Sequence, residues 1–173
     1  MYNKNWSRES LIELAEFILN HHRLMREKLL ELQTLLQEDK SGSIGSLRDF
    51  FPDFKTKLEA HFASEEQLLI PYIRQMDEFD RNRGPKPQIH TGSIKNPISK
   101  LEYEHYHTEN VMFDKIRDLT GDYRIPDGAD SGLKALYAGL KDIVANLGEH
   151  INLENNVLFP LAIELELRLM HKK

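Results

Sequence analysis

Two copies of one short pattern hold the residues of this chain that are best suited to chemistry. The first copy begins at His61 and ends at Glu65, and the second begins at His150 and ends at Glu154. Residues four apart lie on the same face of a helix, so each copy presents an imidazole beside a carboxylate. A lone His-x-x-x-Glu pattern more often forms an ion pair on a helix surface. Two copies, made of ligand types that transition metals bind, favour a metal site instead.

The two copies belong to a longer internal repeat with an offset of 89 residues and no gaps. Leu69 coincides with Leu158, and Pro71 coincides with Pro160. A helix that carries a further histidine precedes each copy, so the chain consists of two helix pairs. Such a repeat predicts a pseudo-symmetric bundle whose two halves face one shared site.

Apolar residues at three- and four-residue steps predict four helices joined by polar, glycine-rich or proline-rich connections. The predicted helices span about 8–37, 53–79, 98–119 and 131–169. Pro71 disfavours helical geometry at Ile70, so the second helix is predicted to end or kink there. Residues 81–97, which include three prolines and two glycines, are predicted to form a long loop.

The histidines of the first and third helices lie at the centres of apolar faces. His22 shares its face with Ile18, whereas His21 lies about 100° to one side. His21 is therefore predicted to lie outside the ligand set, either behind a ligand or in solvent. In the third helix His105 faces inward, and Glu109 leans inward one turn later. For Glu109, a pair with a basic neighbour and a place beside the metal both remain open.

Six inward residues from four helices form the predicted ligand set: His22, His61, Glu65, His105, His150 and Glu154. Two carboxylates between a pair of divalent ions offset their charge and bridge them, while the histidines cap each ion from outside. A solvent-derived oxo or hydroxo bridge would complete the core. An open position at a reduced iron would bind a diatomic such as NO or O2.

Length and composition narrow the class of protein and the kind of metal. The 173 residues fit one domain, 1–173, with a bundle core at about 8–169. The sequence has no cysteine, which excludes disulfides, thiolate zinc sites and cysteine nucleophiles. Imidazole and carboxylate ligands favour iron or manganese, with zinc less favoured. A net charge of −5 and the lack of a long apolar run argue against nucleic acid and membranes as partners, and favour a cytoplasmic protein.

The ligand set, with the phrase that runs from Glu154 to Pro160, resembles the hemerythrin-like HHE cation-binding domain. More narrowly, it resembles the di-iron domain of the iron–sulfur cluster repair proteins, over about residues 10–165. The resemblance implies an all-α, up-down four-helix bundle around a non-haem centre of two iron ions. It also implies that Glu65 and Glu154 bridge the ions and that the four histidines are terminal ligands.

Two departures separate this sequence from the oxygen-carrying hemerythrins. Those proteins have a second histidine one turn after the third-helix ligand, where this chain has Glu109, and an aspartate as one bridge, where this chain has a glutamate. Both differences favour the repair type. Repair proteins of this family often carry a small cysteine-containing domain before the bundle, whereas this sequence has no cysteine.

The leading hypothesis is a cytoplasmic di-iron protein of nitrosative or oxidative stress. It would react with NO or O2 at the metal pair or supply iron to damaged iron–sulfur proteins. The alternative is a non-catalytic module that binds or senses NO or O2. A third interpretation, a helical interaction protein without metal, fails if about two irons per chain are found.

Overall fold

A computed structural model describes residues 6–7, 10–40, 42–88 and 90–170. The described chain is all helical and forms a four-helix bundle, which confirms the predicted fold class. The first helix is α1 (Leu11–Glu38). The second comprises α2 (Gly45–Ser64), a π turn (Glu65–Leu69) and α3 (Ile70–Asp80), and the third comprises α4 (Lys95–His107), a π turn (Thr108–Met112) and α5 (Phe113–Thr120). The fourth comprises α6 (Ser131–Leu153), a π turn (Glu154–Leu158) and α7 (Phe159–Met170).

Two helices begin earlier than the sequence predicts. The second helix begins at Gly45 and runs through Pro52, because Leu47 and Phe51 are buried in the core and their burial offsets the hydrogen bond that proline cannot donate. The third begins at Lys95, since Pro97 falls in its first turn, where backbone N–H groups need no partner within the helix. The long loop is therefore 81–94 rather than 81–97. The predicted core start at residue 8 lies outside the described residues.

The second helix does not end at Ile70, because a π turn carries it past the proline. The Ile70 N–H donates to the carbonyl of Glu65, five residues back, and Phe159 does the same to Glu154. Pro71 and Pro160 then lie in the first turn of the next α-helix. Single π turns within α-helices often mark functional sites. Here two of the three begin at a predicted metal ligand.

Two apolar clusters lie at opposite ends of the bundle. The first cluster draws on 11–18, 69–76, 94–101 and 153–169. The second cluster draws on 25–36, 44–62, 112–116 and 133–151. The first and third helices run from the first cluster to the second, and the other two run back, so the topology is up-down-up-down. The six predicted ligands lie where the two clusters meet.

Glu166 ties the long loop to the bundle. Its carboxylate is buried and accepts hydrogen bonds from the Tyr72 hydroxyl at 3.2 Å, the Ser93 hydroxyl at 2.7 Å and the Ile94 N–H at 2.8 Å. Burial and the nearby Glu166 raise the pKa of Tyr72 to about 12. Because Ile94 precedes α4, Glu166 caps this helix from the opposite end of the chain. None of the helices in the described part of the chain is long and apolar enough to span a bilayer.

Candidate metal centre

The structure brings the six predicted ligands together between the two apolar clusters. All six are at least nine-tenths buried. They form two groups of four, within which one donor atom of each residue lies within 4.8 Å of the others. The first group is His22, Glu65, His150 and Glu154, and the second group is His61, Glu65, His105 and Glu154. The two carboxylates belong to both groups.

Each shared carboxylate directs one oxygen toward each group. Glu65 Oε2 lies 3.1 Å from Nε2 of His22, and Glu65 Oε1 lies 3.5 Å from Nε2 of His61. Glu154 Oε1 lies 3.1 Å from Nε2 of His150, and Glu154 Oε2 lies 3.2 Å from Nε2 of His105. This is the arrangement that two bridging carboxylates require.

The histidine rings face one another with their Nε2 atoms. Nε2 of His22 lies 3.2 Å from Nε2 of His150, and Nε2 of His61 lies 2.9 Å from Nε2 of His105. Three of these rings turn Nδ1 toward an oxygen acceptor, so Nδ1 carries the ring hydrogen and Nε2 carries a lone pair. In the pair of His61 and His105, two lone pairs face each other at this distance and repel, so a cation, either a proton or a metal ion, must lie between these two rings.

The carboxylate oxygens show the same need for a cation. Within the described residues, none of the four oxygens of Glu65 and Glu154 accepts a hydrogen bond, although all four are buried. The nearest polar atoms are the histidine Nε2 atoms, at 3.1–3.5 Å. Buried charges are normally paired, hydrogen-bonded or bound to metal. Four orphaned carboxylate oxygens and four inward Nε2 atoms therefore fit metal ions bound in both groups.

In the protein without metal, protons partly fill this role. Burial and the neighbouring Glu154 raise the pKa of Glu65 to about 8. Burial also opposes ionisation of Glu154, but His150 and His105 hold its pKa well below the usual range. Burial lowers the pKa of His105, but Glu154 and Glu65 outweigh this effect and raise it to about 9. Metal binding must displace these protons.

A second layer of side chains fixes the ligand rings through their Nδ1 atoms. His22 Nδ1 donates to Glu66 at 3.0 Å, and His105 Nδ1 donates to Asn155 at 2.8 Å. Glu66 and Asn155 each follow a shared carboxylate in the repeat. Such partners hold the ring orientation and raise the basicity of the ligand.

The other two rings have partners that precede a ligand in sequence. His61 Nδ1 donates to Glu104 at 2.8 Å, and His150 Nδ1 lies 2.9 Å from Nδ1 of His21. Glu104 directly precedes His105, as His21 precedes His22. The outer layer thus follows the same pseudo-twofold repeat as the ligands, with chemically different members.

His21 and Glu109, the two residues predicted to lie outside or beside the ligand set, differ in their surroundings. His21 is buried behind His150 and stacks on Phe17, and burial with His150 and His22 lowers its pKa to about 4. Glu109 is half-buried on the second π turn and belongs to neither group, so its role beside the metal stays a prediction. Sequence reasoning missed Glu66, Glu104 and Asn155 as partners. Their position directly beside a ligand was the available signal.

Aromatic rings and one cavity define the surroundings of the centre. Phe62 stacks on His22 with ring centroids 4.3 Å apart, and Phe159 stacks on His105 at 5.7 Å. A cavity of about 280 Å³ is lined by His61 and Glu104 among others. His61 is the most exposed of the six ligands, at 8%. The cavity therefore reaches the edge of the second group at His61.

Comparison with known proteins shows that this chain is similar to a family of cation-binding domains. A model of the hemerythrin HHE cation binding domain matches residues 13–162. The iron-sulfur cluster repair protein YtfE of Edwardsiella ictaluri is 33% identical over 168 residues, which are 93% of this chain and 70% of that protein. The protein of the same name from Dickeya chrysanthemi is 32% identical, with 94% and 71% covered. That from Yersinia pseudotuberculosis serotype O:1b is 31% identical, with 95% and 71% covered.

Proposed function

This chain belongs to the hemerythrin HHE cation-binding domain family, and we propose that it is a cytoplasmic di-iron protein of iron–sulfur cluster repair under nitrosative or oxidative stress. The names of its relatives support the repair role. The observation that carries the proposal is the pair of four-residue groups that share Glu65 and Glu154, whose four buried oxygens accept no hydrogen bond within the described residues.

The ligand roles follow from the directions of the donor atoms. His22 and His150 would hold one iron through Nε2, and His61 and His105 would hold the other. Glu65 and Glu154 would bridge, since each directs one oxygen toward each group. The proposal assigns residues 1–173 to a single di-iron domain.

The donor set supports iron or manganese over zinc and copper, and the family match favours iron. Imidazole and carboxylate suit iron and manganese, and the sequence has no thiolate to favour zinc or copper. Two bound irons would supply one-electron redox steps and an open coordination position for NO or O2. A hydroxo or oxo bridge between them belongs to the same proposal.

The protein's own residues prepare the site. Glu66, Glu104, Asn155 and His21 hold the four imidazoles in the orientation that directs Nε2 inward. The aromatic rings of Phe62 and Phe159 keep water from two of the ligand faces. The cavity beside His61 provides access for a diatomic, and the partly exposed Glu104 forms part of its lining.

Anaerobic metal analysis, followed by reaction of the reduced protein with NO, tests the proposal. We expect about two irons per chain, optical bands that change on oxidation, and conversion of NO to N2O. Transfer of iron to a damaged iron–sulfur protein would establish the repair role directly. Reversible O2 binding without turnover would favour the sensing or storage module, and less than one metal ion per chain would refute the di-iron centre.

A further inference from the structure

The two metal positions differ in the charge that lies behind their histidines. Each group has one histidine backed by a carboxylate, Glu66 behind His22 and Glu104 behind His61. The other two partners, His21 and Asn155, are uncharged groups. The difference between the positions therefore depends on whether each carboxylate is neutralised by a cation.

Arg26 neutralises Glu66. Its Nη1 donates to Glu66 Oε1 at 2.7 Å and its Nη2 donates to Glu66 Oε2 at 3.1 Å, so the two side chains form a bidentate salt bridge. Its guanidinium also lies 5.4 Å from the centre of the Phe62 ring, which stacks on His22. Paired contacts of this kind hold the two charges in a fixed geometry. The charge behind His22 is therefore close to zero.

Glu104 has no comparable partner among the described residues. Lys100 Nζ lies 3.5 Å from its Oε1, and the Lys100 side chain is 68% exposed. Lys57, which lines the same cavity, pairs with Asp53 instead. An exposed lysine at this distance is screened by solvent and offsets little of the charge. The negative charge behind His61 therefore remains.

We propose that Glu104 makes the position at His61 and His105 the more electron-rich one, so that its iron stays ferric when the centre takes up one electron. The electron comes from an external reductant such as dithionite and reduces ferric to ferrous iron at the position of His22 and His150. A negative charge behind an imidazole raises its basicity and stabilises the higher oxidation state of the metal. This inference rests on the proposed di-iron function.

Three variants test the inference through the separation of two reduction potentials. The first reduction occurs at the position of His22 and His150, and the second occurs at the position of His61 and His105. Glu104→Gln raises the potential of the second reduction, so the two potentials approach each other. Arg26→Gln leaves Glu66 uncompensated and lowers the first potential, so the two potentials also approach each other in this variant. Glu66→Gln leaves Arg26 uncompensated and raises the first potential, so they separate.

The measurement is an anaerobic dithionite titration in which electron paramagnetic resonance follows the half-reduced form. Its maximal population falls in Glu104→Gln and Arg26→Gln and rises in Glu66→Gln. Glu102→Gln is the matched control for charge, because Glu102 is exposed on the same helix as Glu104. Arg26→Lys, which keeps the cation, retains the wild-type pattern.

Opposite signs in all three variants would place the ferric ion at the position of His22 and His150 and overturn the inference. Equal shifts of both potentials would overturn it as well, because the positions would then be equivalent. Failure of the wild-type protein to bind two irons is a different outcome, since it refutes the proposed function before any potential is measured.

Discussion

Nδ1 of His21 lies 2.9 Å from Nδ1 of His150, on the opposite side of the His150 ring from Glu154. When Nε2 of His150 binds a metal, its Nδ1 must carry the hydrogen and His21 must accept it. We expect His22→Ala to lose iron from one position. His21→Ala should retain two irons, with an affinity reduced by about 10–100-fold, the usual cost of losing such a partner. Competition with a chelator measures both variants, and equal iron loss in the two would contradict these assignments.

Metal removal should lower the thermal stability of the protein substantially. Six buried polar ligands lie between the apolar clusters, and unpaired buried carboxylates cost free energy. A metal that binds only the folded form adds about 2.7 kcal/mol when its concentration is a hundredfold above the Kd. Calorimetry of the loaded, chelated and reconstituted protein checks this. A melting curve that does not change after verified iron removal would exclude a metal in this layer.

The metal-free protein should lose stability as the pH rises from about 6.5 to 9. The folded pKa values of Glu65 and His105, about 8 and about 9, exceed their ordinary values of 4.5 and 6.5. The folded state then binds more protons than the unfolded state, so the free energy of unfolding falls with rising pH. Bound metal replaces these protons, so the loaded protein should show a flatter profile. Urea denaturation across this pH range measures both, and parallel profiles would contradict the expectation.

Glu166→Ala should destabilise the protein without affecting metal content. The substitution removes the acceptor of the Tyr72 and Ser93 hydroxyls and leaves the Ile94 N–H without its partner. An unsatisfied buried donor costs about 1–3 kcal/mol. Urea denaturation of the chelated protein gives the change in the free energy of unfolding. Glu164→Ala, an exposed position on the same helix, is the matched control and should stay close to wild type.

Glu109→Gln should keep two irons per chain, because Glu109 belongs to neither ligand group. We expect it to slow the reaction with NO, since a carboxylate one turn beyond His105 can relay the protons that reduction of NO consumes. Metal analysis and stopped-flow kinetics separate these effects. Loss of one iron would make Glu109 a ligand, and an unchanged rate would leave it without a role in the reaction.

Local periodicity was enough to predict the helices and the inward position of the six ligands. His22 was distinguished from His21 by one residue of helical phase, and the structure buries His22 completely at the centre of the bundle. The face of a helix on which a side chain lies depends only on its spacing from neighbouring residues, so it can be predicted without knowing the fold. The helices that begin at Gly45 and Lys95 start earlier than predicted, because core packing in the first and the tolerance of a first turn in the second accommodate a proline.

The partners of the ligands were decided only by tertiary structure. Glu66 is 44 residues from His22 in sequence, and Glu104 is 43 residues from His61. Whether such side chains meet depends on how the helices pack, and helical periodicity carries no information about the angle or the register between helices. Sequence alone therefore determined the bundle and predicted which residues would lie together at its centre. The packing of the helices decided which imidazole has a carboxylate behind it. It also decided which of those carboxylates is paired with an arginine, because both depend on contacts between distant segments.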